Sequence, residues 1–199
     1  AFDGDDLEEV RRERIVALKR AGASARNEAN RLLKQALYGD HPLVLEPEGT
    51  PESLEGLDFN QLRLVYRRAF SPDNLVFSIV GPMSHEELAR RIEALLVGRG
   101  RPAPGLPPVP VTTEARSVTG SVGGEMAALR LGSIFAVDEG DGPALNLLIA
   151  VLSDRMAMDL REARGLSYSV GAAIGIHRGL AEFRAWLNPP RERLDEGRT

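Results

Sequence analysis

The sequence predicts a fold of the α/β (α+β) class, with antiparallel or mixed sheets covered by helices. Helical and strand patterns alternate through most of the chain, which is the signature of that class. Hydrophobic residues make up 43% and charged residues 27% of the 199 residues, as in a globular chain with a buried core. Five of the thirteen prolines lie between Pro102 and Pro110. This stretch predicts an extended linker over residues 99–114, which separates a first part (residues 1–98) from a second part (residues 115–199).

Composition excludes several classes of protein. The chain has 25 Lys and Arg against 29 Asp and Glu, a net charge of -4, and so lacks the basic surplus of a nucleic-acid binder. No apolar run approaches the roughly 20 residues of a membrane span. Since there is no cysteine, disulfides, thiolate catalysis and cysteine-ligated zinc are excluded. The first residues lack the features of a signal peptide, so we expect a piece of a longer protein or a matured product.

The first part is predicted to be mainly helical. Asp5 or Asp6 can cap a helix whose apolar residues recur at helical spacing up to Gly22. Ser24 begins a second helix that stops at Gly39.

Capping patterns predict two further helices in the first part. Asp58 followed by Gln61, and Ser84 followed by Glu87, each match the capping box that opens a helix. Between these helices, residues 74–80 form a β-rich apolar run bounded by proline and glycine, which predicts a buried strand.

The second part is predicted to contain three strands and one helix. A glycine-rich loop at residues 120–124 precedes a strand over residues 125–135. Residues 144–152 are apolar nearly all round and therefore predict a buried helix. Residues 166–176 and 180–187 predict two antiparallel strands, joined by a turn at His177, Arg178 and Gly179.

The histidines and serines do not predict a catalytic centre. His41, His85 and His177 belong to neither H-x-x-E-H nor H-E-x-x-H, and we interpret them as a loop, a helix first-turn and a turn histidine. No serine stands in a nucleophile elbow, and the glycine-rich loop lacks the lysine of a phosphate-binding loop.

The segment around residues 159–171 has the features of a binding site. A charged helix end that includes Arg161 meets Gly165, and Tyr168 follows near the start of a strand. A tyrosine hydroxyl can donate to a developing oxyanion, and an arginine can hold a peptide carbonyl or a carboxylate. Residue chemistry alone favours the plainer alternative, a surface arginine and a strand aromatic.

Three stretches together resemble the M16 family of metallopeptidases, the group of insulin-degrading enzyme and mitochondrial processing peptidase. They are residues 38–42 (YGDHP) followed by 49–52 (GTPE), residues 64–81 (LVYRRAFSPDNLVFSIVG) and residues 160–170 (LREARGLSYSV). The resemblance implies two similar α/β domains that enclose a peptide chamber. Residues 1–98 would be the rear half of the first domain, and residues 115–199 the front half of the second.

The resemblance also implies that this chain binds no metal. The family's zinc motif H-x-x-E-H is not present in the sequence. Aligning the family's E-x-x-x-x-x-x-E pattern from Glu13 places the third zinc ligand on Arg20, and a guanidinium cannot coordinate zinc. We therefore expect zinc in a partner or in a missing segment.

Arg161 and Tyr168 match the family residues that bind substrate and stabilise the tetrahedral intermediate. The resemblance thus implies an inactive, non-zinc-binding M16 subunit of the bacterial kind, which completes the site of a zinc-bearing partner and acts on peptides in a heterodimer. Two alternatives stay open: a non-catalytic scaffold subunit, and a fragment of a complete zinc metallopeptidase. Cytoplasm and periplasm both stay open, with the periplasm favoured by the resemblance. Exposed sheet edges could pair two copies of the chain into a homodimer.

Overall fold

The computed structural model describes residues 4–96 and 105–198. Its α-helices are α1 (Gly4–Gly22), α2 (Ala25–Tyr38), α3 (Pro51–Glu55), α4 (Phe59–Ala69), α5 (His85–Leu95) and α6 (Gly142–Met156). Its strands are β1 (Leu129–Ala136), β2 (Val170–His177) and β3 (Leu180–Leu187). The predicted class is confirmed, since helices combine with a small antiparallel sheet.

The chain forms two compact units. The first unit comprises Ala1–Glu13 and Pro51–Leu106, and the second unit comprises Arg14–Thr50 and Pro107–Thr199. The boundary between them falls within α1. The assignment of residues 1–98 and 115–199 to halves of two domains stays a prediction.

The helix starts of the first unit follow the predicted capping patterns. The Asp58 carboxylate accepts a hydrogen bond from the Gln61 backbone at 2.8 Å, and the Gln61 side chain accepts one from the Asp58 backbone at 2.8 Å. The Ser84 hydroxyl accepts from the Glu87 backbone at 3.3 Å. Because these bonds are local, the sequence alone is sufficient to place both helix starts.

The predicted buried strand at residues 74–80 is wrong. Residues 75–80 belong to no helix and to no strand of the described sheet, and Val76 and Val80 are almost fully exposed. Extended backbone needs a neighbouring strand to satisfy its polar groups, and the described part of the first unit contains no strand.

A three-stranded antiparallel sheet forms the centre of the second unit, in the order β1-β3-β2. The β2–β3 hairpin turns at Arg178 and Gly179, whose φ angles of 51° and 76° suit a tight two-residue turn. This confirms the predicted turn. The first predicted strand starts later than expected, at Leu129, because Met126 makes only an isolated bridge to Pro190.

The helix α6 covers one face of this sheet. Ile149 of α6 packs with Ala172 and Ala185 in a small apolar core. The prediction that this helix is buried all round is wrong: Leu147 and Leu148 are 68% and 59% exposed. The sheet covers one side of α6, and no described residue buries the opposite side.

The helix α2 packs against β1. Leu37, Tyr38 and Ile134 form a second core, against which Val109 also packs. The Thr112 backbone donates to the Ile134 carbonyl at 2.7 Å, and the Ile134 backbone donates to the Thr112 hydroxyl at 2.8 Å. Residues 107–113 belong to no helix or strand and lie against β1 through Val109 and Thr112, and the extended linker over residues 99–114 stays a prediction. Residues 97–104 lie outside the described residues.

Within residues 4–96 and 105–198, no helix is long and apolar enough to cross a membrane.

Candidate functional site

The described residues do not supply a zinc site. No three His, Asp or Glu side chains among them lie together as metal ligands would. Arg20 lies exposed in the last turn of α1 and offers no lone pair to a metal. The His41 ring is engaged at both nitrogens, by the Leu43 backbone at 3.1 Å and the Pro107 carbonyl at 3.0 Å. This donor set does not fit zinc, so no catalytic step through a metal is derived for this chain.

Arg161 lies on an unusual helical segment. Beyond α6 the chain continues as a π-helical turn, Ala157–Ala163, a rare conformation that often occurs at functional sites. The Gly165 backbone then donates to the Arg161 carbonyl at 3.1 Å, and the Leu166 backbone donates to the Leu160 carbonyl at 2.7 Å. Gly165 has a φ of +56°, a conformation that glycine adopts without strain. The helix therefore ends in a closed turn immediately before Tyr168.

Two buried residues fix the backbone between the helix and β2. Leu166 is fully buried and Ser167 nearly so. The Ser167 hydroxyl accepts from the backbones of Ser169 and Asn188, both at 3.1 Å, and its proton points to the Asn188 carbonyl at 2.9 Å or the Ser169 carbonyl at 3.0 Å. A single hydroxyl thereby ties the residues before β2 to the end of β3.

Arg193 holds the same corner from the C-terminal side. Its guanidinium donates to the Gly165 carbonyl at 3.0 Å and to the Arg164 carbonyl at 3.1 Å. Glu196 forms an ion pair with Arg193 at 2.7 Å and keeps this guanidinium in place. Carbonyls at a helix C-terminus carry partial negative charge, so a guanidinium is well suited to them.

Tyr168 projects from this fixed backbone into solvent. Its residue surface is 97% exposed, although Ser167 beside it is buried. Arg161 is also exposed, and its one ion-pair partner among the described residues is the neighbouring Glu162, at 2.8 Å. The structure places both residues at one helix-to-strand corner, but among the described residues no hydrogen bond joins them.

Arg161 and Tyr168 both carry hydrogen-bond donors that are exposed to solvent. The phenol of Tyr168 can donate a hydrogen bond, and the Arg161 guanidinium can donate a planar pair of them. An exposed pair between neighbours such as Arg161 and Glu162 is weak, about 0–1 kcal/mol, so a ligand can replace Glu162.

Sequence reasoning missed Ser167, Asn188 and Arg193. These residues act through contacts with parts of the chain 21 to 29 residues away. No local sequence spacing predicts such contacts. A serine directly before the tyrosine is only a weak sign of a turn held by a side-chain hydrogen bond.

Two curated relatives are similar in sequence to most of this chain. An uncharacterized zinc protease of Mycobacterium leprae is 28% identical over 167 residues, which cover 71% of this chain and 34% of the relative. An uncharacterized zinc protease of Bacillus subtilis is 29% identical over 150 residues, which cover 70% of this chain and 35% of the relative. The chain thus spans about a third of the length of the curated relatives it matches.

A solved structure confirms the fold. The peptidase M16 inactive domain from Pseudomonas fluorescens superposes with a TM-score of 0.80 at 22% identity, over 98% of this chain and 49% of that one. The family model described as "Peptidase M16 inactive domain" matches residues 56–197, and this match includes the whole helix-to-strand corner. The chain therefore belongs to the family of the peptidase M16 inactive domain.

Proposed function

We propose that this chain is part of a non-zinc-binding M16-type subunit that supplies Tyr168 and Arg161 to a zinc-bearing partner during peptide hydrolysis. The observation that supports this most strongly is Tyr168 itself, a fully exposed phenol on a backbone fixed by the buried Leu166 and Ser167. A large aromatic side chain left in solvent on so well-fixed a backbone is suited to contact another molecule.

Tyr168 would act as an oxyanion donor. Attack on a peptide carbonyl turns its oxygen into an oxyanion, and a donor already aimed at that position stabilises the transition state more than the ground state. The bonds of Ser167 and Arg193 hold the backbone around Tyr168, so only the Tyr168 side chain has to be ordered when a substrate binds.

Arg161 would hold the substrate. Its guanidinium can donate two parallel hydrogen bonds to a peptide carbonyl or a carboxylate. Positioning the peptide in this way places the reacting carbonyl near the phenol of Tyr168.

The remaining chemistry would come from a partner. Among the described residues there is no zinc-ligand set, and Arg20 stands where the family pattern has a ligand. An exposed apolar side of α6, formed by Leu147, Leu148 and Val151, supports association with another protein, since such surfaces mark interfaces. The partner we propose is a zinc-bearing M16 subunit.

Replacing Arg161 by alanine should lower the peptidase kcat/KM of the co-purified pair by about tenfold or more. The reason is that a hydrogen bond to a charged group contributes about 1.5–3 kcal/mol. The measurement is the rate of cleavage of a fluorogenic peptide, with pair formation checked by size-exclusion chromatography.

Arg63→Ala is the matched control, because Arg63 is an exposed arginine of α4, which belongs to the first unit, whereas the corner belongs to the second. The control should keep the full rate. If Arg161→Ala also keeps it while the pair forms, the catalytic role is rejected and a scaffold subunit becomes the better assignment.

A second function is a complete zinc metallopeptidase of which this chain is a part. The description of both curated relatives as zinc proteases favours it. Arg20 speaks against it, because the family pattern places a carboxylate ligand at that position. Zinc bound in stoichiometric amount by the full-length polypeptide alone would support this second function.

A further inference from the structure

A cleft of about 470 Å³ opens in the second unit between α2, β1, the segment that precedes β1 and the segment that follows β3. It shares no lining residue with the π-helical turn or with Tyr168. Four arginines line it: Arg116, Arg130, Arg191 and Arg198. We call this site the arginine cleft.

Arg130 is a half-buried cation without an acidic partner in the described structure. Its guanidinium donates to the side-chain oxygens of Asn30 at 2.6 Å and Asn188 at 2.8 Å, and to the Leu129 carbonyl at 2.7 Å. Burial, together with the nearby charge of Arg26, lowers the pKa of Arg130 below its ordinary value. A buried positive charge of this kind is stabilised when an anion binds beside it.

The other three arginines are free to reach a ligand. Arg116 is exposed and makes no hydrogen bond or ion pair with the described residues. Arg191 donates to the Gly124 carbonyl at a long 3.4 Å, and Arg198 forms an exposed ion pair with Asp195 at 3.4 Å. Exposed contacts of this length hold a guanidinium only weakly.

The acidic side chain in the lining, Glu28, is already neutralised. Both of its oxygens accept from Arg31, at 2.8 and 2.9 Å, and this bond lowers the pKa of Glu28. The arginine cleft therefore keeps a positive surplus, although the whole chain carries a net charge of -4.

The rest of the lining suits an extended peptide better than a small inorganic anion. Apolar side chains of α2 and β1, including Leu32, Leu33 and Leu131, form part of the lining. Residues 115–122 belong to no helix or strand, and no backbone hydrogen bond joins them to another described segment. β1 is an edge strand of the described sheet. Thr112 covers its outer edge at Ile134, whereas residues 129–133 make no backbone hydrogen bond to a described segment other than β3, so a peptide can pair with them.

We propose that the arginine cleft binds an extended peptide that carries carboxylate groups. The arginines take the carboxylates, and the apolar lining and free backbone take the peptide chain. The arginine cleft shares no lining residue with the corner of Arg161 and Tyr168, and the proposal does not depend on the function proposed for that corner.

The test is binding of a fluorescein-labelled hexaglutamate to the full-length polypeptide, measured by fluorescence anisotropy in 50 mM NaCl. Hexaglutamine with the same label serves as the neutral probe. Hexaglutamate should bind at least about tenfold more tightly, and raising the NaCl to 500 mM should remove most of the difference.

Variants locate the site. Arg130→Gln should weaken binding about tenfold, since it removes a half-buried cation. Arg116→Gln should weaken it about threefold, as expected of an exposed pair. Because Arg116 has no contact to lose, this variant keeps the test valid if Arg130→Gln fails to fold. Arg63→Gln, an exposed arginine of α4 in the first unit, is the matched control and should bind like the unchanged protein.

Three results would overturn the proposal. One is equal binding of hexaglutamate and hexaglutamine. Another is an effect of Arg116→Gln no larger than that of Arg63→Gln. The third is displacement of hexaglutamate by inorganic phosphate beyond that caused by chloride at the same ionic strength, which would make the site one for phosphate.

Discussion

Replacing Tyr168 by phenylalanine is expected to lower the kcat of the assembled peptidase by about 100-fold while the substrate KM changes little. Removing one oxyanion donor costs roughly 10²–10³ in rate in other acyl-transfer enzymes. The ring is kept, so the variant deletes only the hydroxyl, which is exposed and has no contact with the described residues. Such a loss confined to kcat marks an interaction made in the transition state and not in the ground state.

Tyr66→Phe is the matched control for this prediction. Tyr66 lies on α4, where its ring packs on Phe70 with centroids 4.9 Å apart. The same chemical change at this position should leave kcat within about twofold of the unchanged pair. A Tyr168→Phe protein that assembles normally and turns over at the unchanged rate would show that the phenol has no part in the reaction.

Replacing Leu166 by alanine is expected to destabilise the second unit by about 3 kcal/mol. Leu166 is fully buried, and truncating a buried leucine costs roughly 2–5 kcal/mol through lost burial and the cavity left behind. With a urea slope of about 2 kcal/mol per M, the unfolding midpoint should fall by roughly 1.5 M. Circular dichroism against urea measures it.

Leu147→Ala makes the same truncation on the exposed side of α6. Its expected effect is within about 0.5 kcal/mol, because little of that side chain is buried. Equal midpoints for the two variants would contradict the view that Leu166 anchors the backbone beside Tyr168.

Local patterns were sufficient to predict much of this fold. The helix α4 begins where Asp58 and Gln61 exchange hydrogen bonds, and the β2–β3 hairpin turns at Arg178 and Gly179, as predicted. Both features depend on residues that are neighbours in sequence.

The errors concern contacts that no local pattern contains. Residues 74–80 have strand composition, yet they remain unpaired in the described structure because pairing depends on another segment. Residues 144–152 of α6 are apolar nearly all round, but the sheet covers only one side of the helix. Apolar composition predicts a need for burial and does not show whether a partner surface is present.

The candidate site likewise contains residues that a local motif predicts and residues that act through distant contacts. Arg161 and Tyr168 stand in one short motif and were predicted from sequence, whereas their catalytic roles stay predictions. Ser167 and Arg193 fix the corner through contacts with distant residues, so only the structure shows their part.

The most direct test of the central claim is a measurement of zinc in the full-length polypeptide that contains this chain. The polypeptide is purified without chelator, once alone and once with its zinc-bearing partner. For each sample the zinc content is determined by mass spectrometry and the peptidase rate is measured. The account predicts no stoichiometric zinc and no cleavage for the polypeptide alone, and one zinc per pair with cleavage after assembly. One zinc per polypeptide and cleavage without the partner would contradict it.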